Sequence, residues 1–172
     1  MKFIRKVLYK GISLIPKKIR QMLFVGKSRY CPICGSYVSF FMKSIVHPRP
    51  NARCPICGSF ERHRMDWLFL KKYTNLWDNS PKRLLHVAPE PMFEQAFRKM
   101  KTIDYLSGDL SNRRAMVKMD ITNIQQYPND FFDVIYCSHV LEHVPDDRKA
   151  MRELFRVLKL GGFYGFHHFF VF

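Results

Sequence analysis

The chain reads FDVIYCSHVLEHVPDDRKAMRELFRVLKLGG from Phe132 to Gly162, and this stretch gives the clearest indication of the fold. It opens with a short apolar run typical of a buried strand and continues into the clearest helical pattern of the protein. Asp146 and Asp147 suit the positive N-terminal end of this helix, and Gly161 suits its C-terminal cap. The buried stripe of the helix is predicted to comprise Ala150, Leu154, Val157 and Leu158. We therefore predict a strand, a loop and a crossover helix.

Short apolar runs alternate with helical ones upstream of this stretch, from Arg83 onward. RLLHVA, DYLSGDL and AMVKMD are strand candidates, and PMFEQAFRKM is a helix candidate with Pro91 in its first turn. This alternation predicts an α/β domain with a mostly parallel sheet covered by helices on both faces. Asp109 and Asp120 each end a strand candidate, where acidic residues can bind the hydroxyl groups of a nucleoside.

Four of the five cysteines form two C-P-I-C-G knuckles with the spacing C-x2-C-x19-C-x2-C. Two residues between cysteines allow both thiolates to face one ion, and two knuckles complete the tetrahedral shell of a closed structural zinc site. The predicted ligands of a structural Zn²⁺ are Cys31, Cys34, Cys54 and Cys57. Gly35 and Gly58 follow the knuckles where the chain must turn sharply. The spacing predicts a small zinc-ribbon-like module, with redox or disulfide use as the alternative.

The positive charge is concentrated near the N-terminus. Residues 1–60 contain 12 of the 29 Lys and Arg and no Asp or Glu, whereas the remainder carries 17 minus 14, or +3. Apolar residues recur there at helical spacing, namely Ile4, Leu8, Ile12, Ile15, Ile19 and Met22. Residues 1–29 are therefore predicted to be a basic amphipathic segment. Its stripe packs on the protein itself, lies on an anionic membrane surface, or forms a nucleic-acid-binding arm.

Residues 1–25 interrupt their apolar residues with Lys and Arg, which is not typical of a cleaved secretory signal. The sequence contains no run of about 18 apolar residues, so it predicts no membrane span. The sequence therefore predicts a cytoplasmic protein with reduced cysteines, peripheral at the inner membrane surface where the basic segment binds lipid.

His139 to His143 fits the pattern H-x-x-E-H, which occurs in inverted-motif zinc peptidases. Such a site needs a third protein ligand on another element well downstream. The residues after His143 contain one glutamate, Glu153, which falls inside the predicted helix. The lack of a suitable downstream ligand counts against a peptidase site, and a metallopeptidase is kept as one further hypothesis for the function.

The chain from Leu84 onward resembles the class I S-adenosylmethionine-dependent methyltransferases, in their type 11-like subgroup, and the Phe132–Gly162 motif carries the resemblance. It covers roughly half of the chain. The cysteine module followed by ERHR also looks like the zinc-knuckle front end of some bacterial members. The resemblance implies S-adenosylmethionine as methyl donor. The cofactor-binding positions that it implies are His86, Ala88 and Glu90 in LLHVAPEP, Asp109 for the ribose, Asp120 and Ile121 for the adenine, and Cys137 and His139 beside the methyl donor.

The resemblance further implies a Rossmann-like sheet. The family has seven strands, whereas this chain accounts for about five, so we expect a C-terminally truncated domain. The expected organisation is a basic segment over 1–29, a zinc-binding module with a linking helix over 30–78, and a methyltransferase-like domain over 79–172. The functional alternatives are an active methyltransferase, a truncated inactive relative, and a zinc-knuckle protein that binds nucleic acid or an anionic membrane surface. The resemblance assigns neither the methyl acceptor nor a catalytic residue.

Overall fold

The computed structural model describes residues 12, 14–44 and 48–166, with the backbone alone for 163–166. The chain divides into two units, residues 1–69 and 70–172. The predicted domain boundaries at 29/30 and 78/79 stay predictions. The elements in chain order are α1 (Lys17–Leu23), β1 (Val25–Cys31), β2 (Ser36–Val38), α2 (Glu61–Tyr73), β3 (Lys82–Val87), α3 (Pro91–Phe97), β4 (Ile103–Asp109), β5 (Val117–Lys118), β6 (Phe132–Cys137), α4 (Asp147–Val157) and β7 (Leu158–Phe166).

The second unit is built on a five-stranded sheet in the order β5-β4-β3-β6-β7, and every neighbouring pair is parallel. The predicted α/β fold with a Rossmann-like parallel sheet is confirmed. The chain moves outward from β3 through β4 to β5 on one side and from β6 to β7 on the other. The strand order therefore reverses between β3 and β6, which is where open sheets of this kind bind ligands.

The two faces of the sheet are covered by different helices because successive strand residues point to opposite sides. On one face, Leu85 and Val87 of β3 belong to an apolar cluster that also contains Leu154 of α4. On the other face, the ring of His86 lies against the rings of Phe93 and Phe97 from α3, with centroids 6.3 and 5.8 Å away.

Helix α4 has the predicted buried stripe at Ala150, Leu154 and Val157, and Leu158, the fourth predicted member, is also less than a tenth exposed but is the first residue of β7. Asp146 caps its N-terminus, where its side chain accepts a hydrogen bond from the Lys149 N–H at 2.8 Å. The prediction of Gly161 as C-terminal cap is wrong. The helix ends at Val157, and Gly161 lies inside β7 with φ of +74°.

A tertiary contact explains this early helix end. The last helical carbonyls, of Arg156 and Val157, accept hydrogen bonds from the N–H groups of Asp130 and Phe131 at 3.0 and 2.9 Å. Carbonyls at a helix end need such partners, which a glycine turn would otherwise supply. Because the loop before β6 supplies hydrogen bonds to these carbonyls, the chain can enter β7 without a glycine turn.

The edge strand β5 is shorter than AMVKMD predicted, because only Val117 and Lys118 pair with β4. The N–H of Met119 still donates to the Asp109 carbonyl at 3.0 Å. Asp120 therefore follows two residues after the strand, at the same edge of the sheet as Asp109.

The first unit contains an antiparallel hairpin, β1–β2, in which Cys31 pairs with Ser36. An isolated bridge between Met42 and Arg53 brings the second cysteine knuckle back toward it. Helix α1 begins directly after Pro16, a residue that is tolerated at a helix start but not in a helix interior. The rest of the predicted amphipathic segment, residues 1–11 and 13, lies outside the described residues. Within the described parts, none of the helices is long and apolar enough to cross a bilayer.

Candidate functional site

A cavity of about 500 Å³ opens at the carboxyl ends of β3, β4 and β5. Small-molecule sites typically enclose about 300–1,000 Å³. Its apolar lining includes Val87, Leu110, Met119, Ile121, Val140 and Val144. Its ionisable lining groups are Asp109, Asp120, Asp146, His143 and Lys149. The cavity thus combines aliphatic walls with an excess of carboxylates, which suits a ligand with flat apolar, hydroxyl and cationic parts.

Asp109, the last residue of β4, is held by the turn that follows it. Its Oδ1 accepts the N–H groups of Ser111 and Asn112 at 2.8 and 2.7 Å. Among the described residues, the hydrogen bonds to this carboxylate all go to Oδ1. The carboxylate is therefore fixed in orientation by local backbone, and Oδ2 is left for a ligand.

Asp120 repeats this arrangement one strand further along. Its Oδ1 accepts both the N–H and the hydroxyl of Thr122 at 2.8 Å. The backbone hydrogen bond from Thr122, followed by its hydroxyl, lowers the pKa of the Asp120 carboxyl, so the group is ionised at neutral pH. Two oriented carboxylates from neighbouring strands thus face the same cavity.

Ala88 lies where β3 ends and has φ of +50°, a left-handed conformation that favours glycine. Its N–H donates to the Gly108 carbonyl of β4 at 2.9 Å, which holds the turn against the neighbouring strand. The side chain lines the cavity. Backbone strain of this kind persists where the surrounding structure enforces it, and it is common at ligand sites.

Of the eight sequence-predicted cofactor positions, Ala88, Asp109, Asp120 and Ile121 line the cavity together. The structure places the other four differently. Glu90 is the N-cap residue of α3, and Cys137 is buried in the apolar cluster on the α4 face. His139 lies beside Glu142, with Nδ1 and Oε1 3.1 Å apart. The assignment of all eight to cofactor binding stays a prediction.

His86, the fourth of these, is fully buried on the α3 face. Its Nδ1 lies 3.0 Å from the Tyr105 hydroxyl, and its Nε2 accepts the N–H of Glu90 at 3.3 Å. Burial lowers the pKa of His86 to about 4, and the Glu90 carboxylate offsets part of this effect. The neutral His86 imidazole therefore holds the loop between β3 and α3 through its hydrogen bond with the Glu90 N–H.

Several cavity residues are not among the eight predicted cofactor positions, among them Leu110, Met119, His143 and Lys149. Leu110 and Met119 adjoin the two aspartates in sequence, and this adjacency was a usable signal. His143 and Lys149 come from the loop after β6 and the first turn of α4. Their approach to the β4 and β5 ends depends on the tertiary fold, which no local pattern encodes.

The four knuckle cysteines meet in the first unit, and their Sγ atoms all lie within 4.8 Å of one another. The Cys31–Cys57 and Cys34–Cys54 Sγ separations are 3.6 and 3.9 Å. Four thiolates at about 2.3 Å from a tetrahedral Zn²⁺ would be roughly 3.8 Å apart. The sulfur positions therefore match a closed four-sulfur shell.

The backbone of both knuckles turns as predicted, with φ of +65° at Gly35 and +80° at Gly58. The Ser59 hydroxyl lies 3.2 Å from the Cys57 Sγ and 3.4 Å from the Cys31 Sγ, a contact that spacing alone did not indicate. Hydrogen bonding to Cys34, and then to Cys54 and Cys57, lowers the pKa of the Cys31 thiol far below its usual range.

The H-x-x-E-H pattern does not form such a cluster. In the described ranges, the cysteines are the one group of three or more His, Cys, Asp or Glu with ligand atoms close enough for a shared metal ion. Glu153 instead accepts the Ile124 N–H at 2.8 Å and two hydrogen bonds from Arg156 at 2.9 Å. The histidines of the motif therefore belong to the loop and turn before α4.

Comparison with protein families adds one match. The family model described as a methyltransferase domain matches residues 72–166, which is more than half of the 172-residue chain. The matched range contains the five-stranded sheet and the lining of the cavity.

Similar proteins match over shorter stretches. Ubiquinone/menaquinone biosynthesis C-methyltransferase UbiE of Vibrio campbellii is 56% identical over 36 residues, or 21% of this chain and 14% of that protein. Sterol 24-C-methyltransferase erg6 of Aspergillus fumigatus is 38% identical over 56 residues, or 33% and 15%. The solved structure of YcgJ from Bacillus subtilis is 23% identical with a TM-score of 0.48, covering 59% of this chain and 49% of that one. The matches span about a seventh of the two relatives' length.

Proposed function

Because the chain belongs to the methyltransferase domain family, we propose that its second unit binds S-adenosylmethionine and transfers the methyl group to an acceptor. The observation that carries the proposal is the pair Asp109 and Asp120. Each follows a neighbouring parallel strand, each lines the cavity, and each has Oδ1 fixed by its own turn.

The residues present fit this cofactor. A carboxylate with one oriented free oxygen suits the ribose hydroxyls, and this is the role that we propose for Asp109. Asp120 and Ile121 would frame the adenine, with the aliphatic lining against the ring faces. The Asp109, Asp120 and Asp146 carboxylates outnumber the Lys149 ammonium, so the cavity favours a cationic ligand.

S-adenosylmethionine supplies a methyl group that its positive sulfur has already activated, so the protein has mainly to align the acceptor and exclude water. The turns at Asp109 and Asp120 provide alignment, because their hydrogen bonds fix both carboxylates before a ligand arrives. The aliphatic lining from Leu110, Ile121 and Val140 provides a wall from which water is excluded. The proposal leaves the acceptor and any catalytic base unassigned.

The experiment is a binding titration with S-adenosylhomocysteine on Asp109→Asn. Asparagine keeps an oxygen for the Ser111 and Asn112 N–H groups but removes the charge. We expect affinity to fall about tenfold, because a charge-assisted hydrogen bond contributes about 1.4 kcal/mol more than a neutral one. Asp104→Asn, on the same strand with an 81% exposed side chain, is the matched control. Equal effects of the two variants would contradict the proposal.

For the first unit we propose that the cysteine cluster binds one structural Zn²⁺. The support is the agreement between the sulfur separations of 3.6 and 3.9 Å and those of a tetrahedral shell. Protein sulfur would take all four positions, which leaves no open site for catalysis. The role of the ion would be to stabilise a unit whose short hairpin buries little apolar surface.

Metal analysis of the purified chain tests this. One equivalent of zinc is expected, with loss in Cys31→Ser and retention in Cys137→Ser, because Cys137 is buried in the apolar cluster of the other unit. His139→Ala should also retain the metal. Zinc lost with His139→Ala and kept with Cys31→Ser would support the peptidase alternative instead.

A second candidate function makes the first unit a binding module for an anionic partner, nucleic acid or membrane, and the α/β unit a scaffold without catalysis. The observation that favours it is the charge of residues 1–60, which carry twelve cations and no carboxylate. The two candidates differ in the cavity. If the second unit is catalytic, it binds S-adenosylmethionine and Asp109→Asn weakens this binding. If it is only a scaffold, Asp109→Asn changes the binding of no ligand.

A further inference from the structure

Large apolar side chains are exposed just before α1, at its C-terminal end and in the strand that follows it. Leu14, Met22, Leu23 and Val25 are 83%, 77%, 64% and 69% exposed. Helix α1 has no buried residue at all. Single exposed apolar residues are ordinary on a protein surface, but four strongly exposed ones within twelve residues mark an interaction site.

The β1–β2 hairpin continues this surface. The Ser39 N–H donates to the Phe24 carbonyl at 3.0 Å, and the Phe24 ring lies edge-on to the Phe40 ring with centroids 5.8 Å apart. Further along the hairpin, Tyr30 and Tyr37 lie with ring centroids 4.8 Å apart, and both are about half exposed. The helix end and the hairpin are thus linked through Phe24, and both carry exposed apolar or aromatic side chains. We call residues 14–40 the α1–hairpin surface.

Cations are interleaved with these apolar groups. They are Lys17, Lys18, Arg20, Lys27 and Arg29. No carboxylate occurs anywhere in residues 1–60, so sequence neighbours cannot neutralise this charge. The partner of the surface should therefore be anionic.

We propose that the α1–hairpin surface docks on an anionic lipid bilayer. The apolar residues decide between the anionic partners. Exposed leucine and methionine side chains gain nothing from contact with a phosphodiester backbone, whose binding rests on cations, so Leu14, Met22 and Leu23 favour a lipid surface. Leu14, Met22 and Leu23 suit the boundary between headgroups and acyl chains, while lysines contact the anionic headgroups. Tyrosines favour the headgroup level because they have an apolar ring and a polar tip. This docking does not depend on methyl transfer.

The test is sedimentation of the full chain with vesicles of phosphatidylcholine alone or with about 30% phosphatidylserine. Binding is expected to the anionic vesicles and to weaken with added salt. The double variant Met22→Ser/Leu23→Ser should lower the partition coefficient at least about tenfold, and Lys17→Gln/Lys18→Gln roughly tenfold or more. Lys18, Met22 and Leu23 are exposed, so we expect both double variants to fold. The matched control is Met151→Ser/Phe155→Ser, an exposed apolar pair on α4.

Three results would overturn the proposal. The first is no binding to the anionic vesicles at low salt. The second is unchanged binding by Met22→Ser/Leu23→Ser, or an equal loss with the α4 control pair. The third is binding to a 30-base-pair duplex or a single-stranded RNA that displaces the vesicles and is insensitive to Met22→Ser/Leu23→Ser, which would identify nucleic acid as the partner. Circular dichroism of each variant shows whether it is folded, so that a loss of binding is assigned to the surface.

Discussion

His86 should make the second unit less stable as the pH falls below neutrality. In the folded chain it is fully buried against the Phe93 and Phe97 rings, close to the Tyr105 hydroxyl and the Glu90 backbone. Burial lowers the pKa of His86 from 6.5 to about 4. Below pH 6.5 the unfolded chain therefore binds a proton that the folded chain does not. The stability loss begins near pH 6.5 and is complete near pH 4.

The size of this loss follows from the two pKa values. Between pH 7.5 and 5.0, the free energy of unfolding should fall by about 2 kcal/mol through His86 alone. Carboxyl groups with lowered pKa values, such as those of Asp120 and Glu153, act in a different window. Their stabilisation is full above the unfolded carboxyl pKa of about 4 and is lost as the pH falls through the lower folded value.

Urea unfolding at the two pH values measures the effect. Trp77 fluorescence in a Trp67→Phe background reports the second unit. His86→Phe should remove the difference of about 2 kcal/mol, whatever its own effect on stability at pH 7.5. The exposed His139, changed to Gln, is the control and should retain the difference. A His86→Phe variant that loses as much stability between pH 7.5 and 5.0 as the parent would show that His86 is not the source of the pH dependence.

Two further variants test the Arg156 contacts to the loop before β6 and the turn at Ala88 by the same urea measurement. Arg156→Met should lower the free energy of unfolding by about 2–3 kcal/mol, because Arg156 donates to the carbonyls of Ile124 and Tyr127 at 2.7 and 3.2 Å. The control Arg152→Met, at an exposed site of the same helix, should change this free energy by less than about 0.5 kcal/mol. Equal losses in the two variants would argue against the Arg156 contacts. Ala88→Gly should raise the free energy of unfolding by roughly 0.5–1 kcal/mol, since relief of the left-handed conformation exceeds the entropic cost of glycine; a loss of stability would show that the conformation is not strained.

The meeting of Asp109 and Asp120 was predictable from sequence, because the carboxyl ends of parallel strands share one edge of a sheet. The cysteine spacing likewise predicted the cluster. The buried stripe of α4 followed from helical periodicity. In each case a local pattern dictates the geometry.

Other features depend on contacts between distant segments. The end of α4 was predicted at Gly161, but the Asp130 and Phe131 N–H groups satisfy its last carbonyls, so the helix ends at Val157. The assignment of His86 to cofactor binding stays a prediction, but the neighbours of its side chain were not identifiable from the sequence. Its position in the strand turns it to the α3 face, where Phe93, Phe97 and Tyr105 enclose it. Such partners become identifiable only once helix and sheet are packed.

The central claim is that the cavity at the ends of β3, β4 and β5 binds S-adenosylmethionine. Isothermal titration of the full chain with S-adenosylmethionine and with S-adenosylhomocysteine tests it most directly. We expect one site per chain for each ligand, and loss of measurable heat when Asp109→Ala and Asp120→Ala are combined. No heat from either ligand with the unaltered folded chain, or binding that survives the double variant unchanged, would contradict it.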